Sequence, residues 1–135
     1  MEQFSDYGHA LASMAGFALL LVVLSAMSVS GRSSDQRCDC GHVKRDYANV
    51  VYRRGRAFMN AVETTGPFML ALGAAMLTGA NPFWVNLLAS LFLLARIAVA
   101  AVHIGTTNQS ARSALWSVSI LCVLGLAGLG FVSAF

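Results

Sequence analysis

The chain has 135 residues, room for one domain or one membrane unit. Hydrophobic residues make up 57% and charged residues 11%, too few charges to cover a water-facing domain and too much apolar content for disorder. The net charge of +3 does not mark a nucleic-acid surface, because most of the basic residues fall in one segment between apolar stretches.

A membrane-crossing helix needs about 20 predominantly apolar residues. Residues 10–30 are the first such stretch and carry no charge. Glu2 and Asp6 precede it without any Lys or Arg. A signal peptide opens with positive charge, so this stretch reads as a retained helix. Residues 31–56 form the one long connection. They hold Arg32, Arg37, Lys44, Arg45, Arg53, Arg54 and Arg56, seven of the nine basic residues, against Asp35, Asp39 and Asp46. The positive-inside rule makes this loop cytoplasmic and places both termini outside. Within it, residues 47–52 are a candidate amphipathic extension of the second helix. Residues 57–80 are the second stretch, with Glu63 as its one charge. Gly79-Ala80-Asn81-Pro82 is a tight outer turn, with Pro82 opening the third stretch at 82–104. Arg96 is the one charge there, residues 105–111 make a polar inner turn, and the fourth stretch, 113–135, has no charge. None of the four alternates with period two, as the strands of a membrane barrel do. The expectation is an all-α integral membrane fold, one four-helix domain over residues 1–135.

Ionisable residues inside a membrane usually face protein or a wet cavity. Glu63 lies roughly 9 Å from residue 57, and Arg96 roughly 12 Å from residue 104, so the two charges sit at similar depth. Helical spacing places Arg56, Asn60, Glu63 and Pro67 on one face of the second helix. Pro67 has no N–H for the carbonyl of Glu63, which frees an acceptor there. Arg96 and His103 share a face of the third helix, and Arg112, Trp116 and Ser119 a face of the fourth. These side chains all fall in the cytoplasmic half, while the outer half has Asn86, Ser90 and small hydroxyls. The pattern describes a pocket open to the cytoplasm, richer in Arg than in Glu, for a small anionic ligand with an apolar partner. Two plainer readings stand beside it. Glu63 and Arg96 pair only to hold helices together, or Arg112 is an interfacial anchor.

The run Arg56-Ala57-Phe58-Met59-Asn60-Ala61-Val62-Glu63-Thr64-Thr65-Gly66-Pro67-Phe68 resembles the second-helix signature of the MAPEG family, the membrane-associated proteins in eicosanoid and glutathione metabolism. The resemblance continues through Asn81-Pro82-Phe83, Leu94-Ala95-Arg96 and Ala111-Arg112-Ser113. It implies a left-handed four-helix bundle that assembles as a homotrimer with the second helix near the axis. Small residues there, Gly66, Ala71, Gly73, Ala74 and Ala75, suit close contact. It further implies that glutathione, as co-substrate, binds between subunits near the cytoplasmic side. The matching positions are Arg56, Asn60, Glu63, Arg96, Arg112, Ser113 and Trp116, with His103 facing the same pocket. Arg112 and Ser113 then stand beside the glutathione sulfur as the catalytic pair, because a nearby cation lowers a thiol pKa. Attack on a lipophilic electrophile from the bilayer forms a thioether. The sequence departs from the family at Phe58 (usually His), at Met59 (a second Arg in glutathione-binding prostaglandin synthases), at Val99 and His103 (His and Tyr in those members) and at Trp116 (commonly Tyr).

Three functions compete. The first is a glutathione-dependent membrane transferase or peroxidase of bacterial type, in the inner membrane. The second is a non-catalytic lipid- or glutathione-binding scaffold of the same fold, favoured by Phe58, Met59 and Val99. The third is a small multidrug exporter, which needs an essential Glu in its first helix, where this chain has no acid. Cys38-Asp39-Cys40-Gly41-His42 offers three ligand types too close together for a structural zinc site, so no metal is expected. The one-residue spacer disfavours a mutual disulfide, leaving a free, redox-sensitive pair as the expectation. Cys122 reads as a packing residue, His9 as interfacial, and Gly125, Gly128 and Gly130 as sites of close helix approach.

Overall fold

The computed structural model describes residues 2–135. The side chain of Glu2, used above in the argument against a signal peptide, lies outside the described set. Glu2–Tyr7 is a 3-10 helix leading into α1 (Gly8–Val29), and α2 (Val50–Leu77), α3 (Pro82–Gly105) and α4 (Gln109–Ser133) follow. The chain runs up and down through a four-helix bundle, with no strand of more than a single bridge among the described residues. One end carries the α1–α2 loop and the α3–α4 turn, and is called the loop end below. The other carries the α2–α3 turn and both termini.

The helix starts are written in asparagines. Asn49 accepts a hydrogen bond from the Val51 N–H, Asn81 from Phe83 and Asn108 from Ala111. Each side chain satisfies one of the N–H groups that a first helical turn leaves without a partner. These caps move two boundaries. α2 begins at Val50 rather than residue 57, and α4 at Gln109 rather than residue 113. Residues 53–56, expected in the loop, are helical, as are 50–52 of the candidate extension, while 47–49 are not. Gly79, at φ +70, ends the α2 turn in the left-handed region that favours glycine.

α2 and α3 each pack against the other three helices, and α1 and α4 occupy opposite corners. The core is centred on one aromatic from each of three helices. Phe68 of α2 stacks on Phe92 of α3 at 3.9 Å between centroids, and Phe17 of α1 meets both edge-on. Cys122 lies buried in the same cluster, a packing residue as expected. At the end away from the loop, the Tyr7 hydroxyl donates to the Ala80 carbonyl. Asn86 of α3 accepts from the Ala10 N–H and donates to the Asp6 carbonyl. That outer-half Asn therefore serves the start of α1.

Of the expected glycine contacts, Gly130 makes the tightest. A Cβ there would stand 2.9 Å from the Ala75 nitrogen and 3.1 Å from the Ala74 carbonyl carbon, so α4 meets the α2 backbone at this point. A Cβ at Gly125 would meet only the flexible Leu88 side chain, and Gly128 faces open space. The small residues of α2 divide as well: Ala71 and Ala75 are buried within the bundle, whereas Gly66 and Ala74 face outward.

Three helices are long and apolar enough to cross a membrane: the first with its 3-10 lead-in, α3 and α4. α2 is long enough at 28 residues but more polar than expected of the second of four spans, because its first half holds Arg53, Arg54, Arg56, Asn60 and Glu63.

Candidate functional site

The expected site residues gather at the loop end, in two groups and a cavity. Arg96 of α3 is only 2% exposed, the largest fully buried side chain among the described residues. It reaches across to α2, where its Nη2 donates to the Asn60 carbonyl at 2.9 Å and to Asn60 Oδ1 at 2.8 Å. Its Nε and Nη1 have no hydrogen-bond partner among the described residues. Glu63, expected to pair with Arg96, does not: its side chain faces outward and makes no ion pair with any described residue. The reason is angular. Residues 60 and 63 differ by three positions, about 300° of helix turn. That offset is enough for Asn60 to face α3 while Glu63 lies on the outer flank.

The second group joins α3, α4 and the start of α2. His103 is buried, and Arg112 Nη1 donates to its Nε2 at 3.4 Å. An arginine only donates, so this contact puts the proton of a neutral His103 on Nδ1, which is buried without an acceptor among the described residues. The Arg112 guanidinium also lies over the Tyr47 ring, 5.4 Å from its centroid, a cation–π geometry. Tyr47 in turn meets Tyr52 edge-on at 5.1 Å. Arg53 binds the whole together: Nε donates to the Ile104 carbonyl at the end of α3, and Nη1 to the Tyr47 and Ala48 carbonyls. Carbonyls at a helix end lack helical N–H partners and carry partial negative charge, which suits this cation. Arg112 is thus more than a snorkelling anchor. Ser113, adjacent to it but about 100° round the helix, is exposed, as is Trp116 at 39%. Neither makes a hydrogen bond or ring contact with Arg112 among the described residues.

The third feature is a cavity of about 870 Å³ between the end of α1, the loop and the start of α2. Arg56 is the one expected site residue that lines it. Arg32, Lys44 and Arg45 bring three more cations, and no carboxylate lines it. Val29, Phe58 and Met59 supply apolar wall, with Met59 46% exposed. The loop side of this cavity went unread in the sequence, although a one-sided run of basic residues interrupted by Val43 and Tyr52 was its signal. The loop is folded rather than extended. Arg37 and Val43 form an antiparallel bridge, Cys38 N–H donates to the His42 carbonyl at 2.9 Å, and Gly41 N–H returns to the Cys38 carbonyl at 2.8 Å. Gly41 permits the turn at φ +80. Asp35 in this loop has its carboxyl held below the usual range, chiefly by the Ser33 hydroxyl. The turn also corrects the expectation for the cysteines. With the Cα atoms 5.2 Å apart, Cys38 and Cys40 are joined as a disulfide, and both line the cavity. The turn closed by the Gly41 N–H on the Cys38 carbonyl holds the two cysteines within bonding range.

A model of the MAPEG family matches residues 10–132, nearly the whole chain. No curated protein matches it.

Proposed function

Because the chain belongs to the MAPEG family, and is therefore a multi-pass helical membrane protein of glutathione-related or eicosanoid metabolism, we propose that it is a glutathione-dependent transferase or peroxidase acting on small lipophilic electrophiles. The active unit is a homotrimer, with glutathione held between subunits at the loop end, on the cytoplasmic side of a bacterial inner membrane.

The observation that carries this reading is how the candidate side chains divide. Arg96, Asn60 and His103 are oriented inside one chain, whereas Glu63, Ser113 and Trp116 face outward at the same end. An exposed carboxylate beside apolar helices needs polar cover in a membrane. A neighbouring subunit supplies that cover, and completes a site that one chain leaves half built. Glutathione brings two carboxylates, an ammonium and a thiol. Arg56 and Arg96 offer donors to the carboxylates, and Glu63 an acceptor to the ammonium. Arg112 is a permanent cation at the entry of α4. Placed beside the sulfur, it stabilises the thiolate, and Ser113 adds a hydrogen bond to the same atom. The thiolate then attacks the electrophile: a carbon–sulfur bond forms, and the leaving group or the adjacent atom takes the electron pair.

A second reading, a lipid-binding scaffold without turnover, is favoured by one feature. Phe58 and Met59 make the cavity wall apolar where glutathione-binding relatives carry polar side chains. Conjugation of a chromogenic electrophile by the purified protein, with glutathione present and absent, separates the two. Glutathione-dependent turnover supports the transferase. Tight binding of fatty acid with no turnover supports the scaffold.

A further inference from the structure

The Cys38–Cys40 disulfide is unused by the proposed function, and its setting is unusual for a structural bond. It does not tie helix to helix, since both cysteines sit in the same short turn of the loop. Instead it forms part of the wall of the basic cavity. Cys40 is exposed and Cys38 half-buried, so a solute entering the cavity reaches the bond. Lys44, Arg45, Arg32 and Arg56 line the same space, without a carboxylate among the lining residues.

These are the conditions that favour thiol–disulfide exchange with an anionic thiol. The attacking species is a thiolate, and so is the leaving group. Cations around the bond concentrate the first and stabilise the second. We infer that the loop cavity is a thiol–disulfide exchange site, in which Cys38 and Cys40 are reduced and reoxidised by glutathione. The inference takes the identity of the thiol from the proposed function, but concerns a different sulfur centre. A glutathione thiolate attacks Sγ of Cys40, the Cys38–Cys40 bond breaks, and Cys38 leaves as a thiolate that takes a proton from water. A second glutathione thiolate attacks the glutathione sulfur of the mixed disulfide. Cys40 leaves as a thiolate and glutathione disulfide is released. Two glutathiones lose one electron each, and the cysteine pair gains two. The reverse sequence, with glutathione disulfide as oxidant, restores the bond. Opening the pair removes a covalent tie from the turn that walls the cavity.

The test uses the full-length protein in lipid nanodiscs. It is exposed to glutathione or to cysteamine, a cationic thiol, quenched with an alkylating agent, and mapped by mass to Cys38 and Cys40. Both cysteines should become labelled, with reduction by glutathione about tenfold faster than by cysteamine. Lys44→Gln with Arg45→Gln should remove most of that advantage, and raising the salt concentration with the unmodified protein should do the same, so the result does not hang on how the variant folds. Cys38→Ser, incubated with glutathione disulfide, should hold one glutathione on Cys40. A pair that stays oxidised in millimolar glutathione overturns the inference, as does a rate indifferent to thiol charge and to salt. The assay needs no electrophile. Exchange without conjugation leaves this site standing and removes the transferase, while conjugation without exchange does the reverse.

Discussion

Arg96 shows how a buried charge is held by hydrogen bonds rather than by a direct ion pair. Among the described residues its hydrogen bonds go to Asn60 alone, through the carbonyl and the side chain. A hydrogen bond to a charged group contributes more than a neutral one, and a stranded partner costs its full desolvation. Asn60→Ala should therefore lower stability by about 2 kcal/mol. Asn60→Ala with Arg96→Met should recover part of the loss, because the cation left without its partner is gone. Thermal unfolding in detergent of both, together with Arg96→Met alone, closes the cycle, and losses that simply add would show that the two residues are uncoupled. At the same scale, the proposed chemistry rests on Arg112. Arg112→Leu should cut the conjugation rate near neutral pH about tenfold or more, since a thiol pKa raised by one unit loses most of its thiolate there. Glutathione should still bind, held by Asn60, Glu63 and Arg96. Because a cation depresses the thiol pKa, the unmodified protein should reach its half-maximal rate at a lower pH than the variant, with the rate falling as the pH drops. The variant should need alkaline conditions. The sequence made these residues legible as one cluster, because intramembrane charges are few. It did not reveal their pairing. Asn60 and Glu63 are both polar and share a helix face in a coarse reading, and only the packing of α3 against α2 decides which of them meets Arg96.

The helices are set by small local signals. Pro82 and the turn before it mark the start of α3 in the sequence, because proline fits the first turn of a helix and cannot sit later without loss. Asn49 carries an equally good signal, yet the basic run that follows it resembles a solvated loop. The amphipathic run 47–52 points to an extension of α2, and the Asn49 cap and Arg53 bonded to the end of α3 fix its start at Val50. That contact is long-range, and no pattern within α2 announces it. The cap itself is testable: Asn49→Ala should cost about 1 kcal/mol and loosen the first turn of α2. Amide exchange at residues 50–54 would detect the loosening. Between helices, Gly130 is where α4 touches the α2 backbone. Gly130→Val should cost about 1–3 kcal/mol by overpacking, whereas Gly128→Val, in open space, should be close to neutral. Equal effects on thermal stability would mean that α4 does not dock through Gly130.

The whole molecule has a polar end and an apolar one. Apolar packing around Phe17, Phe68 and Phe92 fills the middle, while Arg96, His103 and Arg112 occupy the loop end. α2 is the most polar helix, and part of its polar surface, including Glu63, is left uncovered by its own chain. The proposed assembly accounts for that exposure. Native mass spectrometry from mild detergent should give a trimer, and Glu63→Leu should weaken it or abolish glutathione binding, depending on whether the carboxylate meets the neighbouring chain or the ligand. A monomeric protein with full glutathione affinity would remove the intersubunit site. The central claim is that the loop end binds glutathione as a thiolate, and ultraviolet difference spectroscopy on titrating glutathione into the purified protein at neutral pH tests it most directly. A saturable thiolate band should appear with the unmodified protein and be absent with Arg112→Leu. Saturable binding without the band, or a band that survives in Arg112→Leu, would contradict it.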